Sequence, residues 1–566
     1  MLIPGGATPL PNKLTRLTQS SATAFLLAVL CLYPLYLDNF ANLGVTKFTA
    51  CFTLFLLFAL WLGACTAIGA RAPAQRYRDR RRDPTLWSLA AFAAATALAT
   101  VLSLTPRASV WGLGGYYGGL MMVLFTTAGY WCIRSYAGAE DLNFLFLGVG
   151  ITASLVAILY TLNIFNIDLI GAYADTAVKE RAQFFSTLGQ KDFNACFFAV
   201  ALPIVFYAFL SAPTVRSAAL YGVPAIFGAL ALAVVDSEAL ALGIGAAVLV
   251  LICHRDFTTR QLRRAALIAA AFFGWAAWMH AMRASVYTQG GTAILAKLGT
   301  LSIALPGALV CLALWAVLAL RARRGKAELA LWKGGRALTA VVLVLAVAAL
   351  AAANLFPGLP LPERIKNLLV LNDDWGTYRG TAWRAAFCTW ADAPWWRRLV
   401  GYGPGTMHTA VAAWAGDAMT PRMATFYAAH NEYLEELLTT GILGLAAWLA
   451  FVASHLRRGF GSWSRPGVAP VVLALCSYLA QAVVSIRVSM VFPLVMLLFG
   501  LLAALTATPA PEPAPARPRR KKTKPAEPTA PARRETLLRY GKITLAAVLC
   551  MAAAGALRTV LFWFLL

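Results

Sequence analysis

Residues 337–355 read ALTAVVLVLAVAALAAANL, nineteen positions without a charge. As a helix such a run reaches across roughly 30 Å of hydrocarbon. A polar insert follows, about residues 356–430, and a second apolar run starts at 433. Prolines between Pro357 and Pro362 forbid helical continuation and end the first run. The insert then carries Arg379-Gly-Thr-Ala-Trp383 and Gly401-Tyr-Gly-Pro-Gly405, and closes on His430-Asn-Glu-Tyr-Leu434. A bilayer protein has little reason to keep a histidine and several arginines at its surface unless they bind an anion or do chemistry.

Outward from this insert the same apolar pattern repeats. Segments of spanning length lie near 21–38, 46–69, 86–104, 117–135, 142–163, 194–212, 218–235, 239–253, 265–282, 300–320, 337–355, 433–455, 468–487, 489–507 and 543–566. The expected fold is all-α, a polytopic integral membrane bundle of about 12–15 transmembrane helices with one large extracytoplasmic loop. The chain of 566 residues is 60% hydrophobic with a mean hydropathy of +0.68, which excludes a string of soluble domains. Residues 1–507 form the membrane domain, with the loop at 356–430. Residues 508–540 combine proline spacing with a basic core and read as an extended cytoplasmic linker. Residues 541–566 form a last transmembrane helix.

The formal net charge of +25 is concentrated in alternate loops, at 71–82, 134, 216, 255–264, 321–336, 457–458 and 508–540. By the positive-inside rule these loops and the N-terminus are cytoplasmic, which puts the 356–430 insert outside the cytoplasmic membrane. The charges orient helices and meet anionic membrane lipids; nucleic acid is not the expected partner. The first apolar run lacks a small-residue cleavage site and reads as a retained helix. Of ten cysteines only Cys388 lies in the insert, so no disulfide forms within it.

Within the insert, 377–390 and 404–414 read as short amphipathic helices at the membrane interface, where tryptophans such as Trp375, Trp383, Trp390, Trp395 and Trp396 are expected to settle, most of them as an aromatic belt. Asn431 can cap the helix that starts after it, and Glu432, Glu435 and Glu436 suit its positive end. His430 is then at the rim of the membrane, with a side chain whose ordinary pKa is near neutrality and which suits a general base. Arg181, Arg379 and Arg384 lie on the outer side, against the general charge bias. Guanidinium forks match phosphate oxygens, so they point to an anionic ligand; ion pairs with Asp373, Asp374 or Glu180 are the structural alternative. The turn at 401–405 offers backbone amides to phosphate. His254, His280 and His455 read as structural, and His408 lies close to the loop of interest.

Arg379 with Trp383, then Gly401, Gly403, Pro404 and Gly405, then His430, Asn431, Tyr433 and Leu434, followed by Thr440 to Leu445, resembles the signature region of the O-antigen ligase and O-antigen polymerase superfamily. Arg181, the run Ser186 to Asn194 and Pro203 resemble that family's upstream loop, and Trp111-Gly with Gly118-Gly-Leu an earlier segment. The resemblance implies a metal-independent membrane glycosyltransferase without cofactor. It would move a glycan from a polyprenyl diphosphate carrier to a glycan or lipid acceptor at the outer face of the membrane. It also implies His430 as catalytic base, Arg181 and Arg379 as diphosphate ligands, and Arg384, Trp383, Asn431, Tyr433, Gly403 and Gly405 as further substrate contacts. Two departures stand out: Asp236-Ser237-Glu238 where many members carry Ser-Arg, and Tyr116 where an arginine is common. A lipid-linked sugar transporter, expected to carry charges at mid-span, and an inactive scaffold of the same fold are the rival readings.

Overall fold

The structure, a computed structural model, describes residues 13–40, 42–69, 83–112, 115–174, 176–286, 298–356, 358–507 and 530–565. Most of the 508–540 linker lies outside the described residues, as does the whole basic loop at 71–82. No strand occurs among the described residues, only two isolated bridges.

The helices in chain order are α1 (Lys13–Leu27, continued by a π-turn to Leu32 and a last turn to Leu35), α2 (Leu43–Ala67), α3 (Pro84–Val101), α4 (Leu120–Tyr136), α5 (Leu142–Ile164) and α6 (Lys191–Ser211). Next come α7 (Val215–Val234), α8 (Glu238–Cys253), α9 (Thr259–Ala281), α10 (Leu301–Arg323) and α11 (Trp332–Leu355). The insert folds into α12 (Trp375–Ala391), α13 (Trp395–Val400) and α14 (Met407–Ala415), before α15 (Glu432–Gly461), α16 (Val468–Gln481), α17 (Phe492–Ala507) and α18 (Ala530–Leu565). Each apolar segment expected from the sequence is therefore helical. Ten of the described helices are long and apolar enough to cross a membrane, and Glu238–Cys253, Val468–Val484 and Phe492–Ala507 are shorter apolar helices.

Burial follows composition. Helix α17 is apolar all round and is buried continuously from Phe492 to Leu505, as a central helix must be. It packs on α4, while α6 packs on α16 and α7, and α3 runs along α15. At the periphery, α10 and α11 are each only 6% buried in their most apolar window, so their side chains are left to face hydrocarbon.

Charge divides the bundle end from end. At one end Asp83 caps α3 and pairs with Arg134 and with Arg458, at 2.6 Å for the latter. Arg264 donates to the carbonyls that end α6, at Phe209, Leu210 and Ala212. Helix α15 starts just after His430 and carries Arg458 near its other end, so the histidine lies at the opposite end.

Two local departures from regular helix shape that opposite end. The amphipathic helix expected from 377 becomes regular only at Arg379, because Gly376, Thr377 and Tyr378 all have positive φ. Helix α15 breaks at Gly441, with φ 67° and ψ −170°, a conformation essentially restricted to glycine. The break releases the carbonyls of Leu438 and Thr439, which accept from the amides of Tyr402 and Gly403 at 3.1 and 2.8 Å. Gly401, at φ 85°, lies against the Thr439 backbone so closely that a Cβ would collide with it. The glycine turn is thus docked backbone to backbone on a broken helix. Its first amides are engaged there and are not offered to phosphate.

Candidate functional site

His430 occupies the last position before the cap of α15. Asn431 accepts from the amides of Tyr433 and Leu434, both at 3.1 Å, so it is the N-cap that its sequence position predicts. His430 itself has φ 51°, a left-handed conformation uncommon outside glycine. Its carbonyl accepts from Trp383 Nε1 at 3.4 Å, and its ring meets Phe426 edge-on at 5.7 Å between centroids. Neither ring nitrogen has a protein partner among the described residues.

The ring borders a cavity open to solvent. Gly118, Tyr116, Pro404, Gly405 and Tyr427 contribute from the loops, and Asn431, Glu432, Glu435, Glu436 and Thr439 from the start of α15. Ser485, Ile486 and Arg487 close it from the link between α16 and α17. Burial pushes the His430 pKa down from 6.5 to about 4; the positive charge of Arg379 adds to this, and Asp192 opposes it. The imidazole is therefore neutral throughout the physiological range.

Arg379 stands next to this ring on the first regular turn of α12. One of its nitrogens, Nη2, meets Asp192 Oδ2 at 3.3 Å, and the guanidinium has no other protein partner among the described residues. Asp192 is held from the far side by Ser237, whose hydroxyl donates to Oδ1 at 3.0 Å. Lys191 and Asp236 face each other at 3.8 Å. The Asp236-Ser237-Glu238 segment therefore supports Arg379 through Asp192, while Glu238 itself is exposed. Tyr116 lines the cavity, and burial raises its pKa, with smaller contributions from Glu435 and Asp192.

Of the residues singled out in the sequence, the structure brings His430, Asn431, Gly405, Trp383 and Arg379 together. The others lie apart. Arg384 pairs with Asp373 at 2.7 Å on the surface, both side chains well exposed. Arg181 reaches the Thr176 carbonyl at 3.5 Å and lies over the Tyr173 ring. Gly403 packs where a Cβ would strike the hydroxyls of Ser103 and Ser109, and Tyr433 donates to the Leu479 carbonyl at 2.8 Å, tying α15 to α16. His408 is stacked on Tyr427 at 4.7 Å, and His455 is enclosed between Tyr130 and the Phe451 carbonyl.

Arg487 is the site residue that the sequence reading passed over. Its guanidinium pairs with Glu436 and, at 3.5 Å, with Glu432, and lies over the rings of Phe492 and Trp448 at 4.5 and 5.2 Å. Glu432 also accepts from Tyr478 at 2.6 Å. A signal was present: one arginine between two apolar runs, 468–484 and 492–507, is costly unless paired. Its partners, fifty residues away, were visible only as charges favourable to a helix start.

No curated protein matches this chain. Residues 290–449, which hold Arg379, the glycine turn and His430, match the family model described as O-antigen ligase.

Proposed function

We propose that the protein transfers a glycan from a polyprenyl diphosphate carrier to an acceptor hydroxyl at the outer face of the cytoplasmic membrane, with His430 as general base. The family implies glycan transfer of the O-antigen ligase kind, lipid-linked glycan substrates and a membrane setting. The observation that carries the finer reading is a neutral imidazole with unengaged ring nitrogens at a cavity wall, beside an arginine held by a single end-on contact.

In this reading the acceptor oxygen forms a bond to the anomeric carbon as the bond from that carbon to the carrier diphosphate breaks. The electron pair leaves with the diphosphate, and the acceptor proton passes to a ring nitrogen of His430. Arg379 faces the departing negative charge, which it stabilises most when that charge is greatest. A single displacement inverts the anomeric centre. Cationic help comes from a guanidinium, so the step needs no metal. Trp383 fixes the strained His430 backbone through its carbonyl, and Asn431 fixes the helix start behind it.

The test is turnover of a polyprenyl diphosphate-linked glycan by purified protein in lipid nanodiscs. His430→Ala should lose on the order of a hundredfold or more in rate, with melting and yield nearly unchanged. Wild-type turnover by this variant would remove His430 from the mechanism.

A further inference from the structure

His430 holds a left-handed backbone conformation, φ 51°, that few residues with a side chain adopt. Such a conformation persists only where its surroundings fix it. Three side chains do so here. Asn431 caps α15 through the amides of Tyr433 and Leu434, and Trp383 donates to the His430 carbonyl. The third is Glu435, whose Oε2 accepts the Ala429 amide at 2.7 Å. The backbone amide of the same residue donates to the Asn431 carbonyl at 2.9 Å. Glu435 therefore grips the chain on both sides of the histidine, with its side chain before it and its main chain after it. The transfer reading gives this residue no part in the chemistry.

The grip depends on reach. In a capping box the side chain of the third helical residue closes on the amide of the cap itself. Glu435 is one residue further into α15 and extends past the cap to an amide six residues back, so that the closed loop contains His430. Aspartate, one methylene shorter, does not span that distance, whereas glutamine keeps both the length and an accepting carbonyl oxygen. Charge is not required, because a protonated carboxyl group retains an acceptor oxygen as well. Glu432 and Glu436 are engaged by Arg487, but Glu435 has no ion pair among the described residues. The turn that carries Glu435 is fixed in its own right. Thr439 donates from its hydroxyl to the Glu435 carbonyl at 2.7 Å, and the Thr439 carbonyl accepts the Gly403 amide at 2.8 Å. The docked glycine turn thus supports the residue that holds the histidine.

We infer that Glu435 is a positioning residue for the base: by holding the Ala429 amide it keeps His430 in the left-handed conformation that sets the ring at the cavity wall. The inference rests on the transfer reading above and deepens it. Glu435 works as an acceptor of fixed reach, neither as an ion nor as a proton carrier. Rate is sensitive to such placement, since a displacement of about 1 Å costs on the order of a hundredfold.

The experiment compares Glu435→Gln, Glu435→Asp and Glu435→Leu in the full-length protein in nanodiscs. Two quantities are read: kcat and KM for a polyprenyl diphosphate-linked glycan, and the titration of the His430 ring by NMR of ring-labelled histidine. Glu435→Asp and Glu435→Leu should lose about tenfold or more in kcat with KM changed by less than about twofold. Glu435→Gln should recover most of that loss. In the wild type, burial and Arg379 hold the ring at about 4 against the opposing charge of Asp192. A ring released from its place gains water, so its pKa should rise toward 6.5 in the Asp and Leu variants and should not rise in Glu435→Gln. Where Glu435→Leu does not fold, the contrast between Gln and Asp decides. Glu435→Gln as impaired as Glu435→Leu would show that the carboxylate itself is needed, and Glu435→Asp as active as wild type would show that reach is not; either overturns the assignment. So would a raised KM with unchanged kcat, or a ring pKa that stays at its wild-type value in the Asp and Leu variants. Absence of turnover in the wild type would refute the transfer reading, and the ring titration would still decide whether Glu435 positions His430.

Discussion

Titrating His430 tests the site most directly. The folded protein holds this imidazole at about 4 instead of 6.5, chiefly through burial and secondly through Arg379. That difference corresponds to about 3 kcal/mol against protonation. At pH 6 an ordinary histidine would be mostly protonated, whereas His430 would be about 1% protonated. The acid limb of kcat/KM, which reports the free enzyme, should therefore fall near pH 4 and not near 6.5. A bound diphosphate brings negative charge beside Arg379, so the limb of kcat should lie above that of kcat/KM. Removing the like charge with Arg379→Gln should raise the imidazole pKa but not restore 6.5, because burial is the larger cause. Linkage gives the same sign for stability. The pKa is depressed on folding, so the contribution is fully present above about 6.5 and is lost as pH falls toward 4, by up to about 3 kcal/mol. Transfer rates across pH 3.5–8 in nanodiscs, with NMR of ring-labelled histidine in wild type and Arg379→Gln, supply both readouts. A wild-type limb at 6.5 or above, or a lower pKa in Arg379→Gln, would refute the reasoning.

Arg487→Met leaves Glu432 and Glu436 without their cation and should cost about 3–5 kcal/mol, seen as a lower melting temperature; adding Glu436→Gln should recover part of it, and an unchanged melt in the single variant would contradict the pairing. Gly441→Ala places a Cβ against the Leu399 carbonyl in a backbone conformation costing about 1–3 kcal/mol in strain alone, so it should lower both melting temperature and turnover. Arg379→Lys keeps the charge without the planar fork and should cut turnover severely, whereas Arg384→Lys, in its exposed pair with Asp373, should change turnover by less than about twofold. Orientation is testable with a membrane-impermeant thiol reagent: a cysteine at Ala415 should label from outside the cytoplasmic membrane and one at Ala516 should not.

The fold class was legible because spanning hydrocarbon imposes a length and a composition that can be read residue by residue. The cap at Asn431 and the end of α11 before the prolines were legible for the same reason, since both depend on near neighbours in the chain. The place of His430 just before a helix start was legible from the residues around it. Other features depended on contacts between distant segments. The glycines at 401, 403 and 441 carry no mark in the sequence that distinguishes a phosphate-binding turn from a turn docked on a broken helix. Only the approach of Tyr402 and Gly403 to the carbonyls of Leu438 and Thr439 decides that. Arg181, Arg379 and Arg384 are equivalent as guanidinium groups along the chain; the tertiary structure separates them because only Arg379 is brought to the imidazole, by the meeting of α12 with the start of α6. Arg487 joins Glu432 and Glu436 only through the packing of α15 against the link between α16 and α17. Periodicity and local caps are recorded in consecutive residues, whereas the charge of a cavity is a sum over segments that meet only after folding.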